Sequence, residues 1–250
     1  MKIPRLALLI PALLSLAAFA APASAQSNRT WVSRAGSDAA NCAIGTPCLT
    51  FQGAHNKTNP SGLVSCLDSG DFGPIAITKS ITIKCVGVLA SIAASAGAGI
   101  TISAGATDKI VIDGLDIEGL STGGIGIAVG QSSKVHLLNT AIRNFSDAGI
   151  ALTASNTHIF IDNSFLLGNP TGVRVQGTSN IASLTNSSVR ASPTVSLNGA
   201  TATAIIGVQN SVINDSPIGI GGVPGAQAIS VGPSNLVTGA GAFTLTLPFQ

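Results

Sequence analysis

Between Lys109 and Leu236 the chain repeats one pattern of apolar and polar positions about every 24 residues. Five segments align: KIVIDGLDIEG from Lys109, KVHLLNTAIRN from Lys134, HIFIDNSFLLG from His158, IASLTNSSVRA from Ile181 and IIGVQNSVIND from Ile205. Each opens with period-two alternation, the spacing of a strand rather than a helix. That alternation turns Ile110 and Ile112, Val135 and Leu137, Ile159 and Ile161, Ala182 and Leu184, and Ile206 and Val208 to one side. A second short strand follows, with Ile117, Ile142, Leu166, Val189 and Ile213 as its inward residues. A third comes next: GIGIAVG, GIALTAS, GVRVQG, TVSLNG and IGIGG. Three strands per repeat at a fixed period predict a solenoid, in which each strand pairs with its equivalents one repeat before and after.

The sixth position of the five segments holds Gly114, Asn139, Asn163, Asn186 and Asn210, spaced by 25, 24, 23 and 24 residues. A two-residue corner between strands needs positive φ, which Gly and Asn tolerate best. Stacked Asn amides also hydrogen-bond along a column, as in cross-β ladders. The next position, Thr140, Ser164, Ser187 and Ser211, is expected to face inward, where each hydroxyl needs a partner.

This strand–Asn–strand corner resembles that of right-handed parallel β-helix proteins of the pectin-lyase-like superfamily. The resemblance covers most of the chain beyond residue 25 and implies an all-β, right-handed parallel β-helix with three strands per coil and about seven coils. A short N-terminal cap containing a small helix would precede it. The GTPC-x-TF run is similar to the N-terminal region of bacterial secreted β-helix proteins.

The ends of the chain extend the picture. Lys2 and Arg5, an apolar stretch from Leu6 to Ala20 and the small-residue site Ala23-Ser24-Ala25 read as a secretory signal peptide over residues 1–25. Residues 26–62 read as the cap and 63–250 as the β-helix. Within the cap, Thr30 to Ser33 is expected to form a leading strand. Leu49, Phe51 and Ala54 are expected to share a helix face that Pro60 and Gly62 bring to an end. In the first coil LVSCL, PIAIT and ITIKC are taken as the three strands, with Lys79-Ser80 at the corner that Asn holds later. VGVLASIAASAGAG is either a loop packed on the barrel or a poorly matched coil.

Export makes disulfides available to the four cysteines. Of the three possible pairings, Cys42–Cys48 and Cys66–Cys85 are preferred, the second linking two strands of the first coil; a zinc site competes, without a histidine at ligand spacing. With Lys2 and Arg5 removed, 10 basic residues face 10 acidic ones, and charged residues are 9% of the chain, so there is no basic footprint for nucleic acid. No apolar run after the signal is long enough to span a membrane. The expected location is outside the cytoplasm, extracellular or periplasmic.

The resemblance implies an active face, where one exists, on the outside of the third strands. The residues read as outward there are Gly126 and Ala128, Ala151 and Thr153, Arg174 and Gln176, Ser196 and Asn198, Gly219 and Gly221, and Thr244 and Thr246, without a carboxylate. Arg174 reads as isolated, and a lone protonated guanidinium is a poor base. Paired carboxyls for glycoside hydrolysis are missing from this face. Asp113, Asp116 and Glu118 form the best candidate for Ca²⁺, against a plain solvated face in which Glu118 pairs with Arg143. No other cofactor is implied. Val111, His136 and Phe160 align as an outward column suited to a glycan or a protein partner, or to cover by a loop, and Arg174 and Gln176 complete the binding candidates. His158 falls on a different column from His136, and His55 reads as a surface residue. The expected function is a secreted, non-catalytic β-helix scaffold or binding module for extracellular polysaccharide or a surface protein. The alternative is a polysaccharide lyase or glycoside hydrolase whose groups come from loops.

Overall fold

The computed structural model describes residues 26–131 and 134–248 of the 250-residue chain. The signal-peptide reading over residues 1–25 therefore lies outside the described residues. The described chain winds into three parallel sheets of ten, eight and seven strands. Each coil gives one strand to each sheet, so the seven strands of the third sheet mark seven full coils. This is a parallel β-helix with one short helix.

The first sheet carries the alternating segments in a single register: Lys109 pairs with Lys134, Lys134 with His158, His158 with Ile181, and Ile181 with Ile205. Every inward residue of these strands is 0–1% exposed, Ala182 and Ile206 included, and Ile117, Ile142, Leu166, Val189 and Ile213 of the second sheet are fully buried. Each fully buried aliphatic side chain stabilises the fold by roughly 1.5–3 kcal/mol.

The corner between the first and second sheets is two residues long in the four asparagine coils, and Gly114 alone separates the strands in the coil before them. One strand ends at Leu138 and the next begins at Ala141, and the same gap recurs at Asn163-Ser164, Asn186-Ser187 and Asn210-Ser211. The φ angles are +82° at Gly114, then +49°, +46°, +50° and +45° at the four asparagines. The amides stack and donate toward the N-terminal end: Asn163 to Asn139 at 2.7 Å, Asn210 to Asn186 at 2.6 Å. The column is interrupted by carboxylates, for Asn139 donates to Asp113 at 2.6 Å and Asn186 to Asp162 at 3.0 Å. One residue on, the buried hydroxyls form a second ladder. The backbone N–H of Thr140 donates to the Ser164 hydroxyl, Ser164 to Ser187, and Ser187 to Ser211, at 3.1–3.2 Å. Each hydroxyl in turn donates to the carbonyl two residues back, at 2.7–2.8 Å. In the last coil Asn235 takes over, accepting from Ser211 N–H at 3.0 Å.

The N-terminal coils differ from the expected register. ITIKC does not close the first coil. Ile81–Lys84 is a first-sheet strand, with Ile83 beside Ile112 and Lys84 beside Asp113. The middle strand of the first coil is the two-residue Gly70–Asp71, and Lys79-Ser80 lies on the corner from third to first sheet. The cause is visible in the register. Ser65 pairs with Lys84, so Cys66 and Cys85, disulfide-bonded with Cα atoms 5.0 Å apart, follow in the register of Gly114. A covalent bond between adjacent coils stands where the amide column runs later. VGVLASIAASAGAG is a coil rather than a loop: Ala90–Ala93 pairs with Leu115–Glu118 in the second sheet.

At the N-terminal end the strand Ser27–Val32 pairs with Thr58–Cys66, which includes residues 58–62. The helix Phe51–Lys57 is capped by Thr50, whose hydroxyl accepts from Gly53 N–H at 2.9 Å. It buries Phe51, Ala54 and His55, with Phe51 against Phe72 at 5.2 Å between ring centroids. Leu49 precedes the helix and is 43% exposed, and the helix stops at Lys57, ahead of Pro60 and Gly62. Cys42 and Cys48 are joined within the cap loop. No helix of the described residues is long and apolar enough to cross a membrane.

Candidate functional site

The outer face of the first sheet carries three columns, set by strand register alone. The middle one runs Thr82, Val111, His136, Phe160, Ser183, Gly207, Ile229. His136 and Phe160 stack, with centroids 4.8 Å apart and planes at 19°. That separation is the strand spacing itself, so the ring normals run along the column. One face of Phe160 meets His136 and the other looks toward Ser183. Val111, His136 and Phe160 are half-buried rather than covered by a loop, and His136, Phe160, Asp162, Ser183 and Thr185 contribute to a groove of about 250 Å³. Burial is the main cause that lowers the His136 pKa, and the nearby charges of Lys134 and Lys109 lower it further, so the ring favours its neutral form.

Beyond Phe160 the column drops to Ser183 and Gly207. A Cβ built on Gly207 would meet nothing but the Ser183 hydroxyl, at 3.7 Å. The neighbouring columns supply Ile181 and Ile205 on one side, Thr185 and Gln209 on the other. This second half of the face bears no charged side chain on the strands Ile181–Thr185, Ile205–Gln209 and Gln227–Val231.

Arg174 and Gln176 lie elsewhere, at the third sheet, so the five binding candidates do not form one site. Nor is Arg174 isolated. Its guanidinium makes a two-pronged pair with Asp147, at 2.8 and 2.6 Å. Arg174 is registered beside Ala151, and Asp147 precedes the strand Ala148–Leu152. The side chain therefore crosses that strand, and Ala148 and Ala151 are fully buried although the sheet faces outward. The hydrogen bond from Arg174 leads in holding Asp147 below the usual carboxylate range, and the same bond raises the Arg174 pKa. The sequence offers only a coarse clue to the pair: subtracting one repeat from Arg174 lands on Ile150–Ala151, three or four residues after Asp147.

Other outward assignments on the third strands change as well. Ser196 is fully buried and shares a hydrogen bond with Ser216 at 2.7 Å. Cβ atoms built on Gly126 and Gly219 would run into Ile142 and Val237. Gly126 and Ile127 are both buried, so the strand Ile125–Gln131 does not keep strict alternation. Thr244 and Thr246 belong to the first-sheet end, where Thr246 pairs with Ser230.

The acidic candidates separate. Asp113 sits at the corner with Lys84 at 3.6 Å and Asn139. Asp116 and Glu118 share Arg143, which lies one coil on in the register of Glu118. Among the described residues no group of three His, Cys, Asp or Glu is arranged to hold a metal ion. His158 is beside Lys134 and one column away from the ring stack. His55, expected at the surface, is 3% exposed, and its Nε2 accepts from Thr78 N–H at 3.3 Å because the helix lays it on the first coil.

Comparison with protein-family models gives no match, and comparison with curated proteins gives none. Among solved structures the chain is similar to a pectate lyase, at 14% identity over 88% of this chain and 80% of that one, with a TM-score of 0.46. It is also similar to a rhamnogalacturonan lyase, at 12% identity over 87% and 84%, with a TM-score of 0.36. By its strand order and register the chain is a three-sheet parallel β-helix.

Proposed function

We propose that the protein is a secreted, non-catalytic β-helix that binds extracellular polysaccharide on the outer face of its first sheet. The observation that carries this reading is the His136–Phe160 stack, half-buried on an open strand face with one ring surface turned toward a groove. Sugar rings present a C–H face to an aromatic surface and hydroxyls to polar neighbours, and small-ligand sites combine the same two elements. The candidate carboxylates Asp113, Asp116 and Glu118 and the guanidinium of Arg174 favour a binder over an enzyme, because each has a local partner: Asp147 on Arg174, Asp116 and Glu118 on Arg143, Asp113 on Asn139. Two disulfides favour an oxidising compartment.

The test is a panel of soluble polysaccharides, measured for binding and for turnover (new reducing ends and unsaturated uronate, with and without Ca²⁺). Binding that the double variant His136→Ala, Phe160→Ala abolishes, without turnover, supports the proposal. Turnover of any substrate by the wild type overturns it, as does a surface protein being retained where every glycan is not.

A further inference from the structure

We infer that the pit between Phe160 and Ile229 is a subsite for one uncharged pyranose ring; this deepens, and rests on, the reading of the first-sheet face as a polysaccharide-binding surface. The floor is Ser183 and Gly207, the two smallest residues of the middle column. The end walls are three strand spacings apart, about 14 Å, room for one sugar ring with its linkages. One wall is the free face of Phe160, held upright by its stack on His136 at 4.8 Å. The other is Ile229, registered beside Gly207.

The sides differ in chemistry. Ile181 and Ile205 make one rim apolar, and Thr185 and Gln209 make the other polar. The side chains of Ser183, Thr185 and Gln209 form no hydrogen bond among the described residues, so their donors and acceptors remain available to a ligand. A ring with a C–H face and a hydroxylated edge satisfies both sides at once. A charged ring does not: the nearest carboxylate on this face, Asp162, already accepts from Asn186 at 3.0 Å, and the strands beyond it carry no charge with which to pair a uronate or sulfate.

Gly207 offers the test, because its φ is not in the left-handed region and a side chain there enters open space. Gly207→Phe fills the pit and leaves the His136–Phe160 stack in place. The probes are soluble neutral oligosaccharides of glucose, mannose and xylose, and polygalacturonate and alginate as acidic ones, titrated by calorimetry. The wild type is expected to bind a neutral probe more tightly than either acidic one, and Gly207→Phe to weaken that binding at least tenfold with an unchanged circular dichroism spectrum. Should Gly207→Phe fail to fold, Thr185→Val with Gln209→Leu, both at the surface, is expected to weaken it severalfold. Neutral binding that survives Gly207→Phe but not His136→Ala with Phe160→Ala overturns the pit and leaves the wider face standing. Binding confined to the acidic probes also overturns the pit alone. A wild type that binds none of the probes overturns both.

Discussion

Replacing Asn163 by glycine and, separately, by alanine divides the two jobs of the corner amide. At φ +46° the residue sits in the left-handed region, and it donates one hydrogen bond, to Asn139 at 2.7 Å. It receives none from Asn186, which donates to Asp162 instead. Glycine keeps the backbone relaxed and loses the one exposed bond, a cost of about 0.5–1 kcal/mol. Alanine loses the same bond and adds left-handed strain of about 1–2 kcal/mol, since a Cβ crowds the following carbonyl there. The alanine variant should therefore be less stable than the glycine variant by about 1 kcal/mol or more. For a chain of this size that is a difference of roughly 2–4 °C in Tm. Scanning calorimetry of the three proteins at equal scan rates measures it, and the ranking wild type, glycine, alanine is the prediction. An alanine variant melting at or above the glycine variant would refute the argument, because the positive φ would then not be what selects asparagine. Gly114 shows that the column accepts glycine without an amide.

Two further outcomes follow from the cap and first coils. Removing Cys66–Cys85, a separation of 19, should cost about 3 kcal/mol of chain-entropy stabilisation, against about 2 for Cys42–Cys48, a separation of 6; paired Cys→Ala variants melted with and without reductant measure both, and equal losses would count against the loop-length account. His55 is kept neutral first by burial, with Lys79 acting in the same direction and Asn56 opposing. Its folded pKa thus lies below the unfolded value of about 6.5, so the contribution is complete above pH 6.5 and declines as pH falls toward the folded pKa. His136 has the same sign, so urea midpoints across pH 7.5 to 5 should fall less steeply in His55→Gln than in the wild type, and parallel slopes would contradict the buried assignment.

Much of the architecture was legible because four asparagines and the hydroxyls after them occur once per turn and mark the corner wherever they stand. Where that mark is missing, the corner is not legible in the residues. Cys66 and Cys85 occupy the same register without resembling it, so the residue pattern alone assigns Ile81–Lys84 to the end of a coil instead of its beginning. Arg174 looked alone because Asp147 is 27 residues away in sequence and one strand away in space. The ring column could be aligned from sequence, but the pit beside it could not be recognised until side-chain size along Phe160, Ser183 and Gly207 was seen as relief. The burial of His55 is not legible either, because helix periodicity gives a face and not what that face lies against.

The two-residue corner keeps successive coils in step. Its amide and hydroxyl fix the chain at one edge of the rod, while the other two edges vary: three residues separate Leu167 from Thr171 and four separate Arg190 from Val195, and two to five link the third sheet back to the first. Successive turns of 25, 24, 23 and 24 residues are absorbed there. The molecule thus has a spine and two hems. Insertions at the hems would lengthen a loop without changing the pitch, whereas one extra residue in the spine would throw every later turn out of step.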